Sequence, residues 1–339
     1  GSLGSTRLLF VSNRHHPGGI GNHSGHLGRW YMGHLGAIIS RAHFNTPAEQ
    51  TAYEFERDPE GAYLRRRFTF SHDFMVENNL PNLAMWIENP DFSDASHEDE
   101  KLSLLYLILA SPFGRYVIAE SIRLSKVESE DPVSMWLHIR NVLRRLPSAA
   151  WFAMTFGYQR MFKPGRKVPG FIAPNRSNIY PIYYQAEHLP SWDSYITPTS
   201  ETDALGMPRM RTHMRFGDED IGHAIRAHEH FDRYLRRSGL GRLEYLCDDL
   251  EASLRKQQLG HGGYHQAGTT RMSERPEDGV LDPNLAVHGF EDLFVASGSA
   301  FPTSGQANST FMIVVLALRL ADHLHRTLHV DTDTLAPVA

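Results

Sequence analysis

Hydrophobic positions along this chain recur with a period that changes several times, and each change marks an element. Leu8 to Val11 is a short apolar run behind small residues at 1, 2, 4 and 5, and reads as a helix end or a brief buried strand. Residues 13 to 36 lose periodicity and fill with Gly and His, the chemistry of a loop. Tyr63 to His72 and Leu83 to Glu88 alternate, which predicts strands with one polar face. Residues 91 to 100 are acidic and Ser-rich, a solvated loop. From 101 to 165 the spacing turns helical: Leu102, Leu105, Tyr106 and Leu109 share one face, Met135 to Leu146 forms another helical stretch, and aromatics cluster from Trp151 to Phe162.

Ile179 to Gln185, Asp193 to Pro198 and Met210 to Phe216 are strand-like, and the turn Thr202 to Gly206 between the last two predicts a hairpin. A helix follows, with Asp218 as N-cap, Ile221, Ala224, Ile225, Phe231 and Leu235 on its apolar face, and Gly239 just past its end. A second helix is expected over Leu246 to Lys256. Leu293 to Ala296 predicts a buried strand running into Ser297-Gly298-Ser299. Asn308-Ser309-Thr310 then opens an apolar helix of about five turns.

Composition narrows the classes. The chain has 339 residues, 41% hydrophobic and 22% charged, enough for one large core or two ordinary ones. Its net charge of -5, with both signs mixed along the chain, gives no electrostatic case for nucleic acid or an anionic membrane. The single cysteine, Cys247, excludes an intrachain disulfide and fits a reduced, cytoplasmic setting. No run approaches the 18 or so apolar residues of a membrane span. The 20 histidines are scattered, and His15-His16 and His323-x-His325 read as exposed polar positions rather than metal ligands.

Chemistry concentrates between Gly263 and Leu328. A lone His265 precedes a small Gly-containing turn, a strand end carries Ser297-Gly298-Ser299, and a polar corner opens the last helix. A strand end and a helix start that meet over a polar corner form a place to hold a ligand. Taken singly, His265 reads more readily as a core histidine, Asn308 to Thr310 as a plain helix cap, and Ser297 to Ser299 as an ordinary turn. Gly19-x-Gly21 continues to Ser24 and is no dinucleotide fingerprint. No G-x-S-x-G elbow is present.

In their joint order these residues resemble the C-terminal signature of the glucose–methanol–choline (GMC) family of flavin-dependent alcohol oxidoreductases. The likeness rests on His265 before Gly-Thr-x-Arg-Met, on Gly279-Val-x-Asp282, on Val287-His-Gly289, on Ser297-Gly298-Ser299, and on Pro302 followed by Asn308-x-Thr310. Gly1 to Leu9 resembles the family's segment returning to the flavin domain, and Gly21 to His34 the segment after it. Residues 39 to 260 are similar in layout only. Ser309 stands where many relatives have Pro.

The resemblance implies an α/β (α+β) fold: the C-terminal part of a two-domain FAD-binding architecture, with an antiparallel sheet and helices forming the substrate domain. It implies residues 1–38 and 261–339 in the FAD-binding domain and 39–260 as the substrate domain. It implies His265 as catalytic base, Asn308 aligning the substrate hydroxyl, and Ser297, Gly298, Ser299, Asn308, Ser309 and Thr310 around FAD. Asn308 in place of a second His resembles the branches that oxidise sugars, glycosides and polyols. Oxygen, a quinone or a protein would be the electron acceptor. The family's strand–GxGxxG–helix, which holds the ADP half of FAD, has no counterpart here. A second, N-terminal FAD-binding polypeptide, cleaved or separately encoded, is therefore expected to cover the apolar Leu8 to Val11 and Phe311 to Leu324. The competing reading is a non-catalytic fragment or degenerate relative that serves as a binding or assembly module.

Overall fold

In the computed structural model, described for residues 1–46, 55–118, 120–129, 132–174, 177–261 and 265–328, the elements run in chain order. They are α1 (Ser2–Val11), β1 (His34–Phe44), β2 (Glu56–Arg57), β3 (Tyr63–Leu64), α2 (His72–Glu77), β4 (Leu83–Ile87), α3 (Glu100–Ala110), α4 (Glu120–Val127), α5 (Met135–Arg144) and α6 (Leu146–Gly157), followed by β5 (Ile179–Glu187), β6 (Tyr195–Thr202), β7 (Pro208–His213), α7 (Asp218–Arg237), β8 (Gly241–Tyr245), α8 (Leu250–His261) and α9 (Thr310–Thr327).

Strands β4, β5, β1 and β8 form one antiparallel sheet in that order. Period-2 alternation gives it two unlike faces. Leu35, Ala37, Ile182, Tyr184, Ala186, Leu83 and Met85 face a core closed by Ile221, Ala224, Phe231 and Leu235 of α7. The opposite face carries His34, Gly36, Tyr183 and Gln185, in register Gly36 with Gln185 and Trp86 with Tyr183. A second core joins the two ends of the chain: Leu9, Leu27 and Met32 pack with Ala267, Val280, Leu281, Val287, Ala300 and Leu316. A third, under α3, gathers Leu102, Tyr106 and Leu109 with Phe92 and Ala173.

The mixed helix and antiparallel-strand class agrees with the sequence reading; several local expectations do not. Tyr63 to His72 forms no continuous strand: Tyr63 and Leu64 pair with Arg57 and Glu56, and Phe68 makes one isolated bridge with Met85. Arg65 and Arg67 turn instead to Ile87 O and Gln306, and Ser71 starts α2 by accepting the Phe74 N–H. The N-cap of α7 is Gly217, whose N–H donates to the Asp220 carboxylate at 2.8 Å; Asp218 already lies inside the helix. The second helix starts at Leu250, where the Asp249 carboxylate accepts the Ala252 N–H. Leu293 to Ala296 makes one isolated bridge, Ala286 with Phe294, and no strand, because this stretch closes tight turns around the second core. Gly263 and Tyr264 lie outside the described residues.

Candidate active site

The two chain ends are laced together by backbone pairing. Met32 N–H donates to Ala267 O and Ala267 N–H to Met32 O, at 3.0 and 2.9 Å. Gly28 N–H reaches Thr269 O at 2.8 Å. Thr6 of α1 meets Thr269 by a buried hydroxyl pair at 2.8 Å, and Ser2 donates to Gln266 O. Gly268 is where this lacing is tightest. It sits at φ +87, and a Cβ there would overlap the Trp30 carbonyl oxygen. Only glycine tolerates both conditions.

This register sets His265 beside His34. His265 adopts φ +60, uncommon for a non-glycine residue. The two imidazoles meet edge-to-face with centroids 4.9 Å apart. Burial lowers the pKa of His265, so the ring is neutral at neutral pH. Its Nδ1 is buried without a hydrogen-bond partner. His34 is pushed down to about 4, first by burial and then by the His265 charge, against the nearby carbonyls of Ala186, Gly305 and Ala307. Those carbonyls influence the ring without reaching hydrogen-bond geometry with either nitrogen.

His34 thus stands between His265 and the loop that precedes α9. That loop is pinned to the sheet at four points. Gln185 Nε2 donates to Gln306 O at 2.6 Å, Gln306 N–H to Asn82 Oδ1 at 2.9 Å, Arg67 to the Gln306 side chain, and His188 N–H to Ser304 Oγ. A cleft of about 430 Å³ opens along it, lined in part by Met272, Phe301, Asn308, Ser309, Met312 and Leu316. Asn308 and Thr310 are exposed, and Ser309 heads α9 without a side-chain cap, so the helix N-terminus is open.

Ser297, Gly298 and Ser299 are placed differently. All three are buried in a 3-10 turn. Thr270 donates to the Ser299 hydroxyl at 2.7 Å, and the Gly298 and Ser299 carbonyls accept from Gly268 and Thr270. The space at Gly298 is closed by Ser2 Oγ and Ile313. These residues couple the His265 turn to the start of α9.

Beside the histidines, the sheet face adds Tyr183 of the aromatic stretch in β5, together with Trp86 and Arg67, which the sequence did not single out. Tyr183 stacks on Trp86 with centroids 4.7 Å apart, and Arg67 lies 4.4 Å over Trp86. The Tyr183 hydroxyl fills the space over Gly36 that a Cβ would need. Tyr180 and Tyr184, on the other face, are fully buried. The alternation of β5 separates the two sets, but which face met the site depended on the long-range contact with the loop at 304–308.

The family pattern described as GMC oxidoreductase matches residues 190–317. The chain is 28% identical over 163 residues to the fructose dehydrogenase large subunit of Gluconobacter japonicus, covering 47% of this chain and 27% of that protein. It is 32% identical over 141 residues to the C-glycoside 3-oxidase of Microbacterium trichothecenolyticum, covering 41% and 25%. It is 31% identical over 68 residues, 20% of this chain and 78% of the other, to an Acanthamoeba polyphaga mimivirus protein described as a truncated GMC-type inactive oxidoreductase. The chain thus spans about a quarter of the length of the first two relatives.

Proposed function

The chain belongs to the GMC oxidoreductases, and from that premise we propose that it contributes the substrate-oxidising half of an FAD-dependent enzyme that converts a CH–OH group to a carbonyl. The observation that carries this reading is His265: neutral, half-buried, with an unpartnered Nδ1, set against His34, which in turn neighbours the loop leading to the open N-terminus of α9.

The residues present fit a flavin. The α9 N-terminus offers free N–H groups and a partial positive charge, which suit the electron-rich pyrimidine edge. Ser309 and Thr310 would hold that edge, with Ser297, Gly298 and Ser299 shaping the turn behind it. When bound, FAD supplies the hydride acceptor that no side chain can provide. His265 takes the hydroxyl proton; its lowered pKa keeps it in the basic form at neutral pH. Asn308, exposed at the cleft, donates to the substrate oxygen and aligns the carbinol carbon. His34 walls the His265 ring.

On this reading residues 1–38 and 261–339 belong with the flavin and 39–260 with the substrate. The apolar outer face of α9, with Phe311, Val314 and Leu318 exposed, is covered by a dinucleotide-binding unit, whether joined to this chain or carried on another. The substrate is a sugar, glycoside or polyol. Tyr183 offers an aromatic ring backed by the buried Trp86, and Asn308 offers an exposed hydrogen-bonding amide. The names of two relatives, a fructose dehydrogenase and a C-glycoside oxidase, point the same way. Turnover of a sugar and polyol panel against an aryl-alcohol panel, with a dye acceptor, tests this. Oxidation of aryl alcohols alone overturns the substrate class.

A further inference from the structure

Helix α5 is built inside out. Its polar residues point into the protein: His138 is fully buried, with its ring nitrogens at 3.2 Å from Ser103 Oγ and from Ser93 O, and stacks on Tyr106. Asn141 donates to Ala95 O at 2.9 Å and to Ser103 Oγ at 3.1 Å. Its apolar residues point out. Trp136, Ile139 and Leu143, spaced i, i+3, i+7 on one stripe, are exposed, Trp136 by 66%. A helix of a soluble domain has the reverse arrangement. The pattern continues. Trp151 is exposed by 67% and Met154 by 61% on α6, and in the π-turn that follows, Met161 and Phe162 are exposed, the latter by 72%.

Charge identifies what covers this surface. Between Met135 and Val168 the sequence holds seven arginines and lysines and no aspartate or glutamate. Against a formal -5 for the whole chain, a block of +7 leaves -12 for the remainder, so the protein is polarised and the whole-chain balance averages over the block. Arg144 and Arg145 face Glu98 and Glu100 at the edge, at 3.7 and 3.6 Å. Arg160 and Lys167 donate to backbone carbonyls of Val168, Met161 and Lys163, which orders them without neutralising them. Lys163 and Arg166 complete a basic cluster around Phe162.

We propose that this face, α5, α6 and the basic turn after them, docks on an anionic lipid surface, with Trp136, Trp151 and Phe162 entering the headgroup layer and Lys163, Arg166 and Lys167 meeting lipid phosphates. Tryptophan, phenylalanine and methionine on one side with lysine and arginine beside them is the composition of interfacial helices, and polybasic segments are drawn to anionic leaflets. Among the described residues no helix is long and apolar enough to cross a membrane, so the contact is peripheral. α5 and α6 pack on α3, whose other contacts form the third core, whereas α9 and α1 pack on the second.

The test is vesicle co-sedimentation of the purified full-length protein. With phosphatidylcholine vesicles containing about a third phosphatidylglycerol, binding is expected to be at least about tenfold stronger than with phosphatidylcholine alone, and to weaken as salt rises. Tryptophan emission is quenched by brominated acyl chains, and Trp136→Ser with Trp151→Ser removes that quenching. Lys163→Glu, Arg166→Glu and Lys167→Glu together abolish sedimentation while turnover on soluble substrate and the melting temperature stay unchanged. Protein that stays in the supernatant with both vesicle types overturns the proposal, as does charge reversal without effect. Variants that instead break a lipid-free dimer or protein complex, with vesicle binding untouched, assign the face to a protein and also overturn it.

Discussion

Acid should destabilise this protein through His228, and the size of the effect follows from its surroundings. The His228 ring is fully buried in α7 against Tyr184. Its Nδ1 donates to Ala224 O at 2.7 Å, while Nε2 is buried without a partner. Protonation therefore places a charge where nothing accepts it, and burial pushes the pKa down from 6.5 to about 4. The unfolded chain binds the proton more tightly than the folded one, so His228 supports the fold fully above pH 6.5. That support fades as pH falls from 6.5 towards 4. The drop is worth about 3 kcal/mol in all and about 2 kcal/mol by pH 5. His34, also held at about 4, adds a share of the same sign. Urea unfolding at pH 7.5 and pH 5.0 measures the sum. In His228→Phe the loss between the two pH values should shrink by about 2 kcal/mol, leaving the share of His34 and of the other histidines whose pKa burial lowers, such as His138, His188 and His265. An unchanged pH slope in that variant would refute the reasoning.

Two further outcomes test the site's frame. Gly268→Ala meets both a left-handed backbone and the Trp30 carbonyl, and should destabilise by about 3 kcal/mol or more in urea; Gly25→Ala, at φ +75 in open space, should cost only about 1 kcal/mol.

Local chemistry was legible in the sequence wherever one element's own pattern decided the outcome. Leu102, Tyr106 and Leu109 read as a helix face and are buried as one. Thr202 to Gly206 read as a turn and joins β6 to β7. The central strand β1 was hidden because it opens within the Gly- and His-rich stretch, and its alternation breaks at Gly36 and at the register shift between Ile38 and Ser40. Leu293 to Ala296 has the apolar run of a strand but pairs only with the short turn segment 285–287, too briefly to extend a ladder. His34 carried no signal of its own as a partner of His265, since their contact exists only through the Met32–Ala267 pairing. In α5 the helical period was visible and the face it buries was not. His138 and Asn141 face inward because Ser93, Ala95 and Ser103 supply hydrogen bonds there.

The catalytic assignment of His265 is tested most directly by the rate of flavin reduction. With FAD bound to the full-length enzyme, substrate is mixed anaerobically and the loss of absorbance near 450 nm is followed in a stopped-flow instrument. His265→Ala should retain its flavin and reduce it roughly 10²–10⁴-fold more slowly, the usual worth of a positioned general base. In the wild type the rate should fall as pH drops through a pKa below 6.5, because burial lowers that of His265, and the variant should lose this dependence. A His265→Ala enzyme that reduces its flavin at the wild-type rate contradicts the account.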